Sequence, residues 1–143
     1  MAFDNILVVC VGNICRSPMA KALLQAQYPN KHIDSAGVSA VVGHPADPAA
    51  IEVMAAQHID VTDHIAKQIT AELTLKADLI LTMSISQTKW IESKWPHCRG
   101  KTFRLGNWLD QDIADPYRHE FSAFTTAYQD IVASLALWQD KIS

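Results

Sequence analysis

Cysteine and glycine are scarce in this chain, and neither sign of charge dominates it. Its 143 residues include 3 cysteines and 5 glycines, and the formal net charge is −3. A small, odd number of cysteines argues against a secreted domain held together by disulfides, so we expect a cytoplasmic protein. Domains that bind nucleic acid usually carry a basic excess, so we expect no nucleic-acid partner. Any anion-binding site must therefore be local.

Long hydrophobic runs are also missing. The apolar run over 6–11 is far shorter than the roughly 18 residues of a membrane-spanning helix, and no basic flank marks it as part of a signal peptide. We therefore predict no membrane insertion. Repeats, low-complexity tracts and Gly/Ser-rich linkers are absent from the sequence, which predicts a single domain over residues 1–143.

Apolar runs alternate with amphipathic segments along the chain. Continuous apolar runs predict buried strands of a parallel sheet, and apolar residues at helical spacing predict helices. The alternation favours an α/β fold with a single doubly wound, four-stranded parallel sheet and helices on both faces. Strands are predicted over 6–11, 32–36, 78–83 and 101–105, helices over 19–28, 49–58, 70–77, 86–94 and 121–142, and irregular structure over 106–120.

Local patterns predict how some helices begin and which face the last one buries. Ser17 and Asp47 each precede a proline, a pattern typical of a helix N-cap followed by proline at the first helical position. In the last helix, apolar side chains at helical spacing predict one buried stripe. It consists of Phe121, Phe124, Tyr128, Val132, Leu135 and Trp138.

The segment from Cys10 to Arg16 joins the first predicted strand to the first predicted helix. Backbone N–H groups in such a loop, together with the helix dipole, attract anions, and Gly12 and Asn13 tolerate a positive φ. Arg16 offers a planar fork to phosphate oxygens, and its charge favours the thiolate form of Cys10. A cysteine at a strand end is commonly a packing residue, but this arrangement predicts a phosphate-binding loop with a cysteine nucleophile.

A general acid is needed when the leaving group of such a reaction is poor. The irregular segment offers Asp110, Asp112 and Asp115. A loop aspartate is more commonly a solvated charge, yet Pro116 stiffens the backbone after Asp115 and Tyr117 supplies an aromatic wall. These neighbours favour Asp115 as the acid.

Five segments spread over the whole chain resemble the low-molecular-weight protein tyrosine phosphatases. They are Val9–Pro18, Asp34–Gly37, Pro45–Pro48, His64–Gln68 and Asp115–Tyr117. The first and last are most similar to the bacterial branch associated with tyrosine kinases of capsule and exopolysaccharide export. The resemblance implies a phosphotyrosine-protein phosphatase that acts on an autophosphorylating bacterial tyrosine kinase, without a cofactor or a metal.

The resemblance also implies roles for individual residues. Cys10 would form a phosphocysteine, Arg16 would hold phosphate oxygens, and Asp115 would protonate the departing tyrosine and then activate water. Ser17 would stabilise the thiolate, and Cys15 would close a reversible disulfide with Cys10. Contacts to the phosphate or its ring would come from Val11, Gly12, Asn13, Ile14, Cys15, Ser17, Val41 and Tyr117, and a supporting network from Asn13, Ser17, Ser35 and His64.

The chain departs from the eukaryotic pattern of this family in three places. No aromatic residue stands within 40–43, so an apolar wall is expected from Val41 or Val42 instead, with Tyr117 opposite. Ser84 occupies a position where members commonly carry an acidic residue, which removes one supporting carboxylate. Arg118 replaces the second of two tyrosines, so a regulatory tyrosine is lost.

Three other functions use the same fold or loop. Arsenate reductases of this type need further cysteines after the third strand, whereas only Cys98 lies in the second half of the chain. Protein-arginine phosphatases of this family carry threonine at the position of Ile14. A non-catalytic phosphopeptide-binding module would be expected to lack the nucleophile or the acid, but Cys10, Arg16 and Asp115 are all present.

Overall fold

A parallel sheet with helices on both faces forms the centre of the structure. The computed structural model describes residues 3–142. Its strands are β1 (Asn5–Cys10), β2 (His32–Gly37), β3 (Leu79–Thr82) and β4 (Thr102–Arg104). Its helices are α1 (Arg16–Gln27), α2 (Pro48–Ala55), α3 (Ala71–Lys76), α4 (Ile85–Lys94) and α5 (Phe121–Ile142), with short 3₁₀ helices over Pro96–Cys98 and Leu105–Leu109. The strand order is β2-β1-β3-β4 and every pair is parallel, which confirms the predicted fold class.

The continuous apolar run of β1 is explained by burial on both sides. Successive side chains of a strand point to opposite faces of the sheet. Ile6 and Val8 belong to a larger core that includes residues of α1, α2 and α5, whereas Leu7 and Val9 belong to a smaller core with residues of the α3 and α4 side. None of these four residues is more than 2% exposed. Both faces of the central strand therefore exclude water.

The two predicted Xaa-Pro caps have different outcomes. Asp47 caps α2, because its side chain accepts a hydrogen bond from the Ala49 backbone N–H at 2.9 Å. The cap predicted at Ser17 is wrong: α1 begins at Arg16, and Ser17 lies inside it. The hydroxyl of Ser17 is engaged by buried side chains rather than by the first turn of the helix.

The buried stripe predicted for α5 is partly wrong. Phe124, Leu135 and Trp138 are buried, but Phe121 and Val132 are 47% and 41% exposed. The face that packs against the core consists of Phe124, Ala127, Ile131, Ser134, Leu135, Trp138 and Ile142. The predicted stripe contained only large apolar side chains and left out the small residues Ala127 and Ser134, which let the helix approach the core closely. Among residues 3–142, neither this helix nor any other is long and apolar enough to cross a membrane.

The segment predicted to be irregular over 106–120 contains part of a 3₁₀ helix, Leu105–Leu109. Gly106 explains the tight return of the chain after it, because a Cβ on this residue would collide with the carbonyl oxygen of Gln111. The backbone N–H of Gln111 donates to the Gly106 carbonyl at 3.1 Å. Residues 110–120, hereafter the acid loop, follow this turn and lead to α5.

Candidate active site

The loop of residues 11–15 connects β1 to α1 at the carboxyl edge of the sheet. β1 has β2 on one side and β3 on the other, so the chain reverses its direction of winding at this point. In doubly wound folds this switch point is where ligands bind. The loop predicted to bind phosphate therefore occupies the position at which the fold places ligands.

A second segment lies against this loop. Gly37, the last residue of β2, passes so close that a Cβ on it would collide with the carbonyl oxygen of Val11, so only glycine fits there. The residues after Gly37 donate three backbone hydrogen bonds of 3.0 Å to the end of β1 and to the loop. They run from Val38 N–H to the Cys10 carbonyl, from Ser39 N–H to the Val11 carbonyl, and from Val41 N–H to the Gly12 carbonyl. This pairing brings Ser39 and Val41 to the site.

Cys10 lies at the bottom of the site and is 2% exposed. Its Sγ lies 3.0 Å from the Oγ of Ser17 and accepts a hydrogen bond from the backbone N–H of Asn13 at 3.3 Å. Donors aimed at a sulfur favour the thiolate, which is the nucleophilic form of cysteine. The surroundings of Cys10 therefore fit the nucleophile role predicted for it.

The partners of Ser17 decide the direction of its hydrogen bond to Cys10. The side-chain amide of Asn13 donates to Ser17 Oγ at 2.8 Å through Nδ2, and an amide nitrogen can only donate. The single hydroxyl hydrogen of Ser17 is therefore free to donate to Cys10 Sγ. Because Ser17 is fully buried, water does not compete for this hydrogen.

Asn13 holds the loop together from within. Its φ of +61° is a left-handed conformation that asparagine adopts more readily than most residues. Besides contacting Ser17, its Nδ2 donates to Ser35 Oγ at 3.0 Å, and its Oδ1 accepts from the backbone N–H of Lys67 at 2.9 Å. These bonds fix the loop to β2 and to the segment that precedes α3.

His64 supports Asn13 through the backbone. Its Nε2 lies 2.6 Å from the carbonyl oxygen of Asn13, and since a carbonyl only accepts, Nε2 carries the proton. Burial lowers the pKa of His64 and outweighs the hydrogen bond to Asn13, which acts in the opposite direction. The neutral imidazole with a protonated Nε2 is therefore the favoured form.

Arg16 is buried at the wall of the site, with its side chain 5% exposed. Nη1 donates to the carbonyl oxygen of Ile113 at 2.7 Å, and Nη2 lies 3.7 Å from Oδ2 of Asp115. The buried Nε has no hydrogen-bond partner among the described residues. Because buried donors are nearly always paired, this N–H is suited to bind an oxygen of a phosphate ligand.

Asp115 reaches the site from the acid loop, with its side chain 47% exposed. Its Oδ1 accepts a hydrogen bond from the backbone N–H of Tyr117 at 3.1 Å, and its Oδ2 faces Arg16. The carboxyl group is thus held by the turn around Pro116, in reach of both the cleft and solvent.

A cleft of about 170 Å³ joins these parts. It is lined by Cys10, Val11, Gly12, Ile14, Cys15, Arg16, Ser39, Val41, Asp115 and Tyr117. Asn13, Ser17, Ser35 and His64 do not line it; their side chains form the network behind the loop. Asn13 and Ser17 were also predicted to contact phosphate; their side chains belong to this network, and a phosphate contact of either residue stays a prediction.

The acid loop is fastened to the sheet by its backbone and by Asp112. The backbone N–H of Ile113 donates to the Met83 carbonyl at 2.8 Å. Oδ1 of Asp112 accepts from the backbone N–H of Ile85 at 3.1 Å and from Nη1 of Arg104 at 3.0 Å. Arg104 also forms an ion pair with Asp110. Asp110 and Asp112, considered above as possible acids, thus pair with Arg104 and do not line the cleft.

The start of α4 shows how the chain accommodates Ser84. Ser84 is the N-cap of this helix, and its side chain accepts a hydrogen bond from the Gln87 backbone N–H at 3.3 Å. Asp112 brings a carboxylate to the N–H of Ile85, the next residue. The backbone N–H of Ile85 thus has a carboxylate partner from the acid loop.

The three cysteines are free thiols. Burial raises the pKa of Cys15, with smaller contributions from Asp47 and Cys10, so its neutral thiol is favoured at neutral pH. Cys98 lies in the smaller core, where burial raises its pKa as well. The Cys10–Cys15 disulfide stays a prediction. Within residues 3–142, no group of three or more potential ligands is placed to hold a metal ion.

Sequence reasoning overlooked Ser39 and Arg104. Ser39 reaches the cleft only because Gly37 allows two segments to pair, and the sequence carries no signal for that pairing. Arg104 lies at the end of β4, and its spacing from Asp110 and Asp112 could have suggested an ion pair.

Comparison with known proteins agrees with this geometry. The family model described as "Low molecular weight phosphotyrosine protein phosphatase" matches residues 5–143. The low molecular weight protein-tyrosine-phosphatase Ptp of Acinetobacter johnsonii is 50% identical over 99% of this chain and 100% of its own length. The probable low molecular weight protein-tyrosine-phosphatase EpsP of Ralstonia nicotianae is 49% identical over 96% of this chain and 95% of its own length.

Among solved structures, the tyrosine phosphatase Wzb from Escherichia coli K30 in complex with sulphate superposes with a TM-score of 0.94. It is 42% identical to this chain, and the match covers 99% of both chains. Family, sequence and structure agree over nearly the whole length of the protein. The chain therefore belongs to the low molecular weight phosphotyrosine protein phosphatase family.

Proposed function

We propose that this protein is a phosphotyrosine-protein phosphatase that works through a phosphocysteine on Cys10. The observation that carries the proposal is the pair of donors aimed at Cys10 Sγ, from Ser17 at 3.0 Å and from the Asn13 backbone at 3.3 Å. A cysteine that only fills space has no need of them. Arg16 and Asp115 line the same cleft, so nucleophile, anion-binding group and acid are together.

In the first half-reaction, Cys10 Sγ attacks the phosphorus atom. The S–P bond forms while the bond from phosphorus to the phenolic oxygen breaks, and Asp115 gives its proton to that oxygen so that tyrosine leaves neutral. The loop N–H groups and Nε of Arg16 bind the phosphoryl oxygens, which carry much of the negative charge of the transition state.

In the second half-reaction, water attacks the phosphocysteine. Asp115, now a carboxylate, takes a proton from the water, while the S–P bond breaks and inorganic phosphate forms. The Ser17 hydroxyl donates to the departing sulfur as it did to the attacking one. Cys10 is regenerated as a thiolate.

The walls of the cleft favour a phosphate carried on an aromatic ring. Val41 and Tyr117 line the cleft and provide apolar surface for a phenyl ring whose phosphate reaches the sulfur. Ile14, also in the lining, is a branched apolar residue where arginine phosphatases of this family carry threonine. Both features support phosphotyrosine over phosphoserine and phosphoarginine.

We further propose that the substrate is an autophosphorylating bacterial tyrosine kinase involved in capsule or exopolysaccharide production. The resemblance of the phosphate loop and of the Asp-Pro-Tyr-Arg segment to that branch of the family supports this, as does the similarity to EpsP and Wzb. Residues 1–143 would act as one domain around a single sheet. A reducing cytoplasm would suit the three free cysteines.

The test is phosphate release from phosphotyrosine, phosphoserine and phosphoarginine peptides, with a chelator present and with Cys10→Ser as the control. We expect release from phosphotyrosine alone, insensitive to the chelator and abolished in Cys10→Ser, which should still bind phosphate. Release mainly from phosphoarginine would assign the protein to the arginine phosphatases. Silence on all three peptides would favour the reductase or the binding module instead.

A further inference from the structure

A second, larger depression adjoins the catalytic cleft. It has a volume of about 510 Å³ and is lined by Asp115, Pro116, Arg118 and His119 together with the first residues of α5. Asp115 also lines the catalytic cleft, so the two depressions meet at this residue. A peptide whose phosphotyrosine occupies the cleft would place neighbouring residues near this second depression.

Arg118 lines the second depression, next to a residue of the catalytic cleft wall. Its guanidinium carbon is 5.3 Å from the centroid of the Tyr117 ring, and Tyr117 forms part of the cleft wall. Stacking of an arginine over an aromatic ring holds the planar group in one place. The positive charge is therefore held beside the Tyr117 wall of the cleft.

This charge has no carboxylate partner within the protein. In the described part of the chain, ion pairs involve the basic residues Arg16, Lys31, Lys67 and Arg104, and Arg118 makes none. Of the two nearby carboxyl groups, Asp115 faces Arg16, and Glu120 lines the depression without pairing with Arg118. An exposed, unpaired guanidinium can accept a planar anion from a ligand.

The backbone of Arg118 has an unusual conformation. Its φ of +64° is a left-handed conformation that glycine and asparagine adopt at lower cost than arginine. Unfavourable backbone conformations are concentrated at functional sites. Arginine at this position therefore points to a use of its side chain.

We propose that Arg118 is a specificity-determining residue that binds an anionic side chain next to the target phosphotyrosine. The anion is a carboxylate or a second phosphate, since the oxygens of both fit the fork of a guanidinium. Residues of an extended peptide are spaced about 3.3 Å apart, so the immediate neighbours of the phosphotyrosine lie near the Tyr117 wall of the cleft. The inference rests on the proposed function, because it requires a phosphotyrosine peptide in the cleft.

The test compares kcat/KM for three phosphotyrosine peptides that differ only beside the phosphotyrosine, where they carry alanine, glutamate or phosphoserine. Release of the tyrosine product is followed by its fluorescence. The enzymes are the natural protein, Arg118→Asn and Arg118→Glu. Asparagine tolerates the left-handed backbone, so Arg118→Asn removes the charge with little change of the loop. Lys141→Gln is the matched control, because Lys141 also lies over an aromatic ring, that of Trp108 at 5.1 Å, but in the last turn of α5.

For the natural protein we expect the anionic peptides to be preferred over the alanine peptide by about two- to fivefold, through KM and decreasingly at high salt. Arg118→Asn should bring the ratio close to one, Arg118→Glu should invert it, and Lys141→Gln should leave it unchanged. If the glutamate peptide is preferred more strongly, the anion is a carboxylate; if the phosphoserine peptide is, the anion is a phosphate. A preference that survives in Arg118→Asn, or its absence in the natural protein at low salt, would overturn the inference. Failure to act on any of the peptides would instead count against the proposed function.

Discussion

Among single residues, Asp115 is the one whose substitution should lower kcat/KM by an amount that depends most strongly on the substrate. Asp115→Asn cannot give a proton to the leaving oxygen, so kcat/KM for phenyl phosphate should fall about 10²- to 10⁴-fold. The loss should be far smaller for a nitrophenyl phosphate, whose leaving group departs readily as an anion. Steady-state kinetics with both substrates measure the difference. Equal losses on the two would show that Asp115 is not the acid.

Substitution of Ser17 tests, without measuring turnover, whether its hydroxyl stabilises the thiolate of Cys10. Ser17→Ala removes a hydrogen bond to the thiolate of Cys10, and hydrogen bonds to charged groups contribute about 1.5–3 kcal/mol. Alkylation of Cys10 by iodoacetate at pH 6 should therefore be slower in Ser17→Ala, because the hydrogen bond that stabilises the nucleophilic thiolate is lost. Ser39→Ala is the control, because Ser39 lines the cleft without a hydrogen bond to the sulfur. An unchanged alkylation rate in Ser17→Ala would mean that its hydroxyl does not stabilise the thiolate.

Local patterns alone predicted the site only where its parts are contiguous in the chain, whereas Ser35, Val41 and His64 were predicted from the family resemblance. Cys10 and Arg16 belong to one loop whose form depends on local backbone preferences, such as the positive φ of Asn13. Ser39 reaches the cleft, and Arg104 reaches the acid loop, through tertiary contacts that no local sequence pattern predicts. The placement of Asp115 depends on the same pairing, and it was predicted from its neighbours Pro116 and Tyr117 together with the family resemblance.

At the scale of elements, strands were easier to predict than the ends of helices. The run over 6–11 forms β1 with a shift of one residue, because burial on both faces requires a continuous apolar run. The start of α1 was misplaced, because the Ser-Pro signal marks residues that tolerate a helix start, whereas the phosphate loop already enters helical geometry at Arg16. The face of α5 was misjudged because Ala127 and Ser134 are buried by close packing rather than by hydrophobicity.

The acid loop offers a prediction at the same scale. Arg104, with its side chain 13% exposed, pairs with Asp110 and Asp112, which are both part of this loop. Arg104→Met frees the loop that carries Asp115, so kcat/KM for phenyl phosphate should fall by about fivefold, the equivalent of about 1 kcal/mol. Nitrophenyl phosphate should be less affected, because it depends less on the acid.

Arg99→Met is the control for this variant, since Arg99 is exposed and forms none of the ion pairs in the described part of the chain. Arg99→Met should retain the ratio of kcat/KM values for the two substrates that the natural protein shows. An equal loss on both substrates in Arg104→Met would indicate general destabilisation rather than misplacement of the acid.

At the scale of the whole molecule, the site lies where two cores meet. Cys10 and Cys15 belong to the larger core, while Val9, next to the nucleophile, belongs to the smaller one. The floor of the cleft is therefore fixed from both faces of the sheet, which is the rigid support that a preorganised site needs. Catalytic geometry and folding stability are linked through the same residues.

His64 makes this link measurable through pH. Its pKa is lowered in the folded protein, mainly by burial, so between the folded value and the unfolded value of about 6.5 the unfolded chain binds the extra proton. The free energy of unfolding should therefore be unaffected by His64 above about pH 6.5 and should fall as the pH drops below it, by at most about 1.4 kcal/mol per pH unit for one proton. His64→Gln keeps a donor for the Asn13 carbonyl but does not titrate, so its stability should fall less steeply. Urea unfolding of both proteins at intervals from pH 7.5 to pH 5 measures the two slopes; parallel slopes would mean that the His64 imidazole is not held neutral by the fold.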